Sequence, residues 1–240
     1  MDFTYDSYLG LIKLLREHNY NIVSYHDWES CDKSVILRHD IDYDMDKAVE
    51  LAQFESKNGV KSTFFVLLTS DFYNVFSRAN REKLQKILAM GHEIGLHFDE
   101  TCYDSLENVK DCILSEKNSL ENVLGLSVKT LSMHRPSKQM LEMDLKVDGL
   151  VNSYGSIFFK DIKYLSDSRR RWREPVEEIV ASEQYNRLQI LTHAFWYNDI
   201  NTDMHDTISG FVNQANFVRY EYLNDNITDL QSVMKREEIQ

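Results

Sequence analysis

Apolar residues recur along this chain in short runs separated by polar turns, and their spacing predicts alternating strands and helices. The runs at 21–25, 35–38, 62–67, 93–97, 130–134, 149–152 and 188–193 have the length and continuous hydrophobicity of strands buried on both faces. Between them the period changes to that of a helix. Residues 8–18 set Leu9, Leu11, Ile12, Leu14 and Leu15 on one broad stripe, and 44–58 run from an acidic first turn to Gly59. The pattern at 81–90 stops at Gly91, and 106–124 repeat Val109, Ile113, Leu120 and Leu124 before Gly125. A last helix is predicted over 203–218. Strands and helices alternating at these lengths point to an α/β fold with a parallel sheet or barrel.

No repeat, low-complexity tract or Pro/Gly linker interrupts the pattern, and the prolines are only Pro136 and Pro175. Residues 1–240 are therefore read as a single domain. The formal charge of −12 excludes a nucleic-acid backbone as the expected partner, because binding that polyanion takes an excess of Lys and Arg. It disfavours an anionic membrane surface for the same reason. The start Met1-Asp2-Phe3-Thr4-Tyr5-Asp6 has neither a basic nor an apolar leader region, and no apolar run approaches the roughly 18 residues of a membrane span. The expectation is a cytoplasmic protein with no stable membrane insertion. Cys31, Cys102 and Cys112 are odd in number and lack C-x-x-C spacing, as expected of reduced, semi-buried thiols.

In parallel α/β folds chemistry collects at the carboxyl ends of the strands, and four strand ends here carry suitable residues. The first is Arg38-His39-Asp40-Ile41-Asp42. Positions i and i+2 of an extended chain share a face, so Asp40 and Asp42 can address one ion or one water; an acidic turn capping the next helix is the alternative. The second is Gly91-His92-Glu93-Ile94-Gly95-Leu96-His97-Phe98-Asp99-Glu100, where His97 stands beside carboxylates, a usual zinc or iron environment. The third is Ser132-Met133-His134-Arg135-Pro136-Ser137, with a further imidazole and a fixed positive charge for a buried carboxylate. The fourth is the apolar strand ending Leu191-Thr192-His193, followed by Phe195, Trp196 and Tyr197, which stack on a sugar ring or pack in the core. The run Arg169-Arg170-Arg171-Trp172-Arg173 is either a clamp for a phosphate or carboxylate or a solvated basic loop. His26 and His205 lie in polar contexts and read as solvated, and His92 reads as a backbone hydrogen-bonding residue.

Taken in order, Arg38-His39-Asp40-Ile41-Asp42, Gly91 to His97, His134-Arg135-Pro136, Asp167-Ser168-Arg169 with Trp172, and Leu191-Thr192-His193 resemble the five ordered motifs of the polysaccharide deacetylase superfamily (NodB homology, carbohydrate esterase family 4). The resemblance spans roughly residues 33–197. It implies a distorted (β/α)7 barrel that removes acyl groups from sugars with one divalent metal ion, zinc first, with cobalt, nickel or iron as alternatives. It implies Asp40 as catalytic base, Asp42 and His97 as metal ligands, Arg135 as the residue orienting the base, and His193 as general acid supported by Asp167 and Trp172. Two departures resemble an intracellular branch associated with surface-polysaccharide assembly. Thr101 stands where the second motif usually has another His, and the usual Asp-Asp pair is spread to Asp40-Ile41-Asp42.

A catalytic metal of this kind needs three protein ligands, and a neutral hydroxyl at Thr101 is a poor donor. Asp99, Glu100 and His134 are the candidates, and the strand-end position of His134 beside Arg135 favours it over Asp99. The expected reaction is metal-assisted hydrolysis of an amide on an acylated sugar, an N-deacetylase or deformylase in cell-surface polysaccharide (O-antigen or capsule) biosynthesis. With no export signal, a nucleotide-linked or lipid-linked sugar is the expected substrate. Two rivals share the same barrel: a catalytically silent protein binding a sugar or partner in that pathway, favoured by Thr101, and a metal hydrolase opening cyclic amides.

Overall fold

The computed structural model describes residues 1–239. Residues Met1–Asp199 gather into one compact unit and those from Ile200 onward into a second. The motif-bearing stretch lies wholly in the first.

The first unit is built on β1 (Asn21–Val23), β2 (Ser34–Ile41), β3 (Thr63–Leu67), β4 (Glu93–Phe98), β5 (Thr130–Met133), β6 (Val151–Asn152), β7 (Lys163–Ser166) and β8 (Arg187–Thr192). Every named ladder is parallel, in the order β6-β5-β4-β3-β2-β8-β7, with β1 pairing the start of β2. Helices α1 (Tyr5–Glu17), α2 (Met45–Lys57), α3 (Arg78–Ala89), α4 (Val109–Leu124), α5 (Lys138–Glu142) and α6 (Val176–Ser182) flank this curled sheet. The seven-stranded path is a distorted (β/α)7 barrel, with no ladder between β6 and β7 among the described residues. Across that opening the hydroxyls of Tyr154 and Tyr164 meet at 3.4 Å.

The predicted strands are present within a few residues, but 149–152 contracts to the two-residue β6, and the pattern did not reveal β7, α5 or α6. Local capping fixes the helix starts. Asp44 accepts from the backbone N–H groups of Asp46 and Lys47 at the head of α2, and Ser77 accepts from that of Asn80 at the head of α3. Gly125, at φ 71°, closes α4 in the left-handed region that suits glycine.

Alternation along the strands divides the core in two. Ile41, Phe64, Val66, Leu96 and Leu131 face outward into the main apolar layer with Ala48, Ile87 and Ile113 of the helices. Tyr25, Ile36, Phe65, Phe158 and Ile162 plug the lumen. Gln189 joins that plug, accepting from the Tyr25 hydroxyl at 2.5 Å and donating to the carbonyls of Ser153 and Phe158. Gly95 makes the plug possible: a Cβ there would stand 2.5 Å from both the Phe65 ring and Thr130 Oγ1. Above the plug, on the same inward face of β2, lie Arg38 and Asp40.

The outward face of β2 carries His39, whose Nε2 is 3.0 Å from Glu55 Oε1 and whose Nδ1 is 2.7 Å from Thr192 Oγ1. Glu55, fully buried on α2, also accepts from Tyr8 and Ser62, each at 2.5 Å, so its charge is satisfied beneath the sheet. His92 is bound at Nε2 to the Ala52 carbonyl, the backbone role expected of it. Cys31 and Cys112 are half-buried free thiols, whereas Cys102 is exposed rather than semi-buried, because the short turn Glu100–Cys102 lies at the surface.

In the second unit α7 (Met204–Asn226) continues past the predicted end at 218 and is followed by two single turns. Tyr220 is buried there and donates to the Met234 carbonyl. Among the described residues no helix is long and apolar enough to cross a membrane.

Candidate functional site

The carboxyl ends of β2, β4, β5 and β8 converge on a cavity of about 590 Å³ lined by Asp40, Asp42, His97, His134, Arg135 and His193, among others. Register explains the convergence. β4 pairs β5 with His97 opposite Ser132, and the backbone N–H of His134 extends that ladder to the Phe98 carbonyl at 2.7 Å. Asp167 follows β7, and its backbone N–H reaches the Leu191 carbonyl on β8, which brings it beside His193.

Asp42, His97 and His134 form a three-donor cluster. Asp42 Oδ1 lies 3.3 Å from His97 Nε2 and 3.5 Å from His134 Nδ1, and the two ring nitrogens are 3.2 Å apart. A tetrahedral cation with bonds of about 2.0–2.1 Å requires ligand-to-ligand edges of about 3.3–3.4 Å. Asp42 Oδ1 is buried with no hydrogen-bond partner, an acceptor that a cation would satisfy. The donor set of one carboxylate and two imidazoles therefore fits a divalent metal of the zinc type. Burial alone would raise the Asp42 pKa, but the His134 and His97 rings hold it well below the carboxylate range. Burial likewise opposes the charge on His134, and Asp42 overcomes it and raises that pKa.

The other carboxylates of the second motif are engaged elsewhere. Asp99 Oδ1 accepts from the backbone N–H and hydroxyl of Thr101 at 2.9 and 2.7 Å, capping its own turn. Glu100 accepts from the backbone N–H and hydroxyl of Ser137. Thr101 itself is exposed.

Asp40 stands beside the cluster, with Oδ2 3.6 Å from His97 Nε2. Its partner is Arg38, a residue that sequence reasoning gave no role. Arg38 Nη2 donates to both Asp40 oxygens at 2.7 Å and to Ser132 Oγ, and Nη1 donates to Ser153 Oγ at 2.8 Å. The guanidinium is wholly buried and lies over the Phe65 and Tyr154 rings, 4.8 and 5.1 Å from their centroids. Burial would raise the Asp40 pKa; Arg38 foremost, with His97 and His193, outweighs this and lowers it below the usual carboxylate value. Arg135 lies exposed at the cavity mouth with no hydrogen bond to Asp40 among the described residues.

On the far side, His193 presents Nε2 to the cavity, 3.8 Å from Asp42 Oδ2. Asp167 is fully buried; it accepts from His193 Nδ1 at 2.6 Å and from the His193 backbone N–H at 2.9 Å. Burial opposes protonation of His193, but Asp167 foremost, with Asp42 and Asp40, pushes the pKa up to about 9, which favours the imidazolium at neutral pH. Trp172 has a buried indole N–H with no hydrogen-bond partner among the described residues. Of the three aromatics after β8, Trp196 lines the cavity, Phe195 packs on Tyr43, and Tyr197 is core, edge-on to Tyr8 and Phe3. His26 and His205 are exposed as expected, near Glu93 and Asp206.

No family model and no curated protein matches this chain. Several solved structures are similar to it. One is the Xyl-CE4 domain of a multidomain xylanase from the hindgut metagenome of Trinervitermes trinervoides, 19% identical over 77% of this chain and 85% of that one, with a TM-score of 0.46. The chitin deacetylase of Colletotrichum lindemuthianum is 15% identical over 75% and 81%, with a TM-score of 0.46. The peptidoglycan deacetylase PdaC of Bacillus subtilis is 15% identical over 76% and 85%, with a TM-score of 0.44.

Proposed function

We propose that this chain is a metal-dependent carbohydrate deacylase of the polysaccharide deacetylase (NodB homology) type, hydrolysing an amide on an acylated sugar. One arrangement carries the reading: a three-donor cluster of Asp42, His97 and His134 flanked in one cavity by an ionised carboxylate, Asp40, and an imidazolium, His193. Asp42 Oδ1, His97 Nε2 and His134 Nδ1 would hold the metal, zinc first, and a bound divalent cation there acidifies water and polarises an acyl oxygen.

The chain's own groups supply the proton transfers. Asp40 takes the proton of the attacking water; Arg38 fixes it in place and keeps it charged while leaving carboxylate lone pairs free. As water oxygen bonds to the acyl carbon and the C–N bond breaks, His193 Nε2–H protonates the departing sugar amine. Asp167 holds the ring by Nδ1–H and stabilises its charge before the transfer. Tyr43, Tyr154, Tyr164 and Trp196 give the cavity aromatic walls on which a sugar ring can lie. A volume of about 590 Å³ suits one acylated sugar with part of a carrier. The finer reading is removal of a small acyl group, acetyl or formyl, from a nucleotide-linked or lipid-linked sugar during surface-polysaccharide assembly.

The test is an amine-release screen over N-acetyl and N-formyl sugars, free and nucleotide-linked, with protein loaded in turn with zinc, cobalt and nickel. Metal-dependent release that is lost in Asp40→Asn supports the reading. No release with any metal and sugar overturns it in favour of a silent sugar-binding barrel.

A further inference from the structure

We infer that the sugar accepted by this site carries an anionic group, phosphate or carboxylate, gripped by the arginines that line the cavity, Arg169, Arg173 and Arg135. The chain has 39 acidic and 27 basic residues, yet the cavity lining reverses that balance. Its acids are Asp40 and Asp42, the first already paired with Arg38 and the second committed to the donor cluster. Against them stand Arg135, Arg169 and Arg173, with no side-chain hydrogen bond or ion pair among the described residues. With both lining carboxylates so engaged, the three arginines leave the mouth a positive opening in an acidic protein.

The basic run 169–173 is not a uniform solvated loop. Arg169 and Arg173 line the cavity, whereas Arg170 turns to the Phe3 ring, 5.5 Å from its centroid. Backbone conformation adds a second observation. Arg135, Arg169 and Arg170 sit at φ 47°, 59° and 56°, a left-handed region that costs an L side chain about 1 kcal/mol or more, and of the three Arg135 and Arg169 line the cavity. Such conformations persist where surrounding structure imposes them. The guanidinium fork matches phosphate and carboxylate oxygens in pairs, which neutral hydroxyls of a plain polysaccharide would not use.

The inference rests on the deacylase reading only in taking the ligand to be a sugar. Equilibrium dialysis of zinc-loaded protein with N-acetylglucosamine, its 1-phosphate and the corresponding uronate tests it, with acyl integrity checked afterwards. The expected result is a preference of about tenfold or more for an anionic probe over the neutral sugar, with the 1-phosphate and uronate arms deciding which anion is recognised. In the Arg169→Ala/Arg173→Ala double variant that ratio should fall toward one. Affinity for both anionic probes no greater than for the neutral sugar, or a preference that survives the double substitution, overturns the inference. Selective anion binding without amine release from any sugar would retain the anion site and defeat the deacylase reading; amine release without anion preference would do the reverse.

Discussion

Arg38 and Asp40, two residues apart on the inward face of one strand, form a buried pair in which a single guanidinium nitrogen reaches both carboxylate oxygens at 2.7 Å. The cation that orients the candidate base is thus built into the same strand as the base, two positions before it.

Arg38→Lys should therefore damage both catalysis and stability. A lysine cannot serve Asp40, Ser132 and Ser153 together, and the orphaned buried groups should cost about 2–4 kcal/mol. Amide hydrolysis should fall about 100-fold or more in kcat, and Arg135→Ala should lose much less kcat than that. Urea denaturation and steady-state kinetics on both variants check this. Near wild-type kcat in Arg38→Lys would remove Arg38 from the base's machinery.

Asp167→Asn should separate proton delivery from metal binding. Asn can still accept the His193 backbone N–H, but it no longer stabilises an imidazolium, so kcat should fall by about 10²–10⁴-fold. Metal content measured by elemental analysis should stay unchanged. Loss of metal together with activity would mean that this pair supports the donor cluster instead.

Gly95→Ala should destabilise the barrel without touching the site's chemistry. The added methyl meets the Phe65 ring and Thr130, both buried, so neither neighbour can move aside into solvent. A cost of about 1–3 kcal/mol is expected from overpacking, read as a lower urea midpoint at an unchanged slope.

Glu116 on α4 should make stability fall between pH 4.5 and about 7. Burial pushes its pKa up from 4.5 to about 7, opposed in part by the Tyr103 hydroxyl that donates to it at 2.6 Å. Because the folded state keeps the proton that the unfolded chain releases near pH 4.5, stability declines as pH rises through that window. Glu116→Gln should abolish this slope and gain about 1–3 kcal/mol at pH 8. Parallel pH profiles of the two proteins in thermal unfolding would contradict the assignment.

The legible parts of this molecule were those whose signal is local. β2, β3 and β8 read as strands because burial on both faces leaves continuous apolar runs. β7 (Lys-Tyr-Leu-Ser) is half polar and follows a five-residue bulged helical turn at Ile157–Asp161, so no run announced it. The strand-end Asp and His residues stood out because chemistry-bearing types seldom end several apolar runs in one chain. Arg38 did not, although its i, i+2 spacing to Asp40 was the same signal that united Asp40 with Asp42. A buried guanidinium is recognisable only when the neighbours that desolvate and satisfy it are known, and those, Ser132, Ser153 and Phe65, come from three separate stretches of the chain.

Calorimetric titration of cobalt(II) or zinc(II) into metal-stripped protein measures binding at the Asp42, His97 and His134 cluster itself. The predicted result is about one ion per chain for the wild type and for Asp99→Ala, with affinity falling at least tenfold in His134→Ala and Asp42→Asn while circular dichroism shows the fold retained. No uptake by the wild type, or unchanged affinity in His134→Ala with collapse in Asp99→Ala, would contradict it.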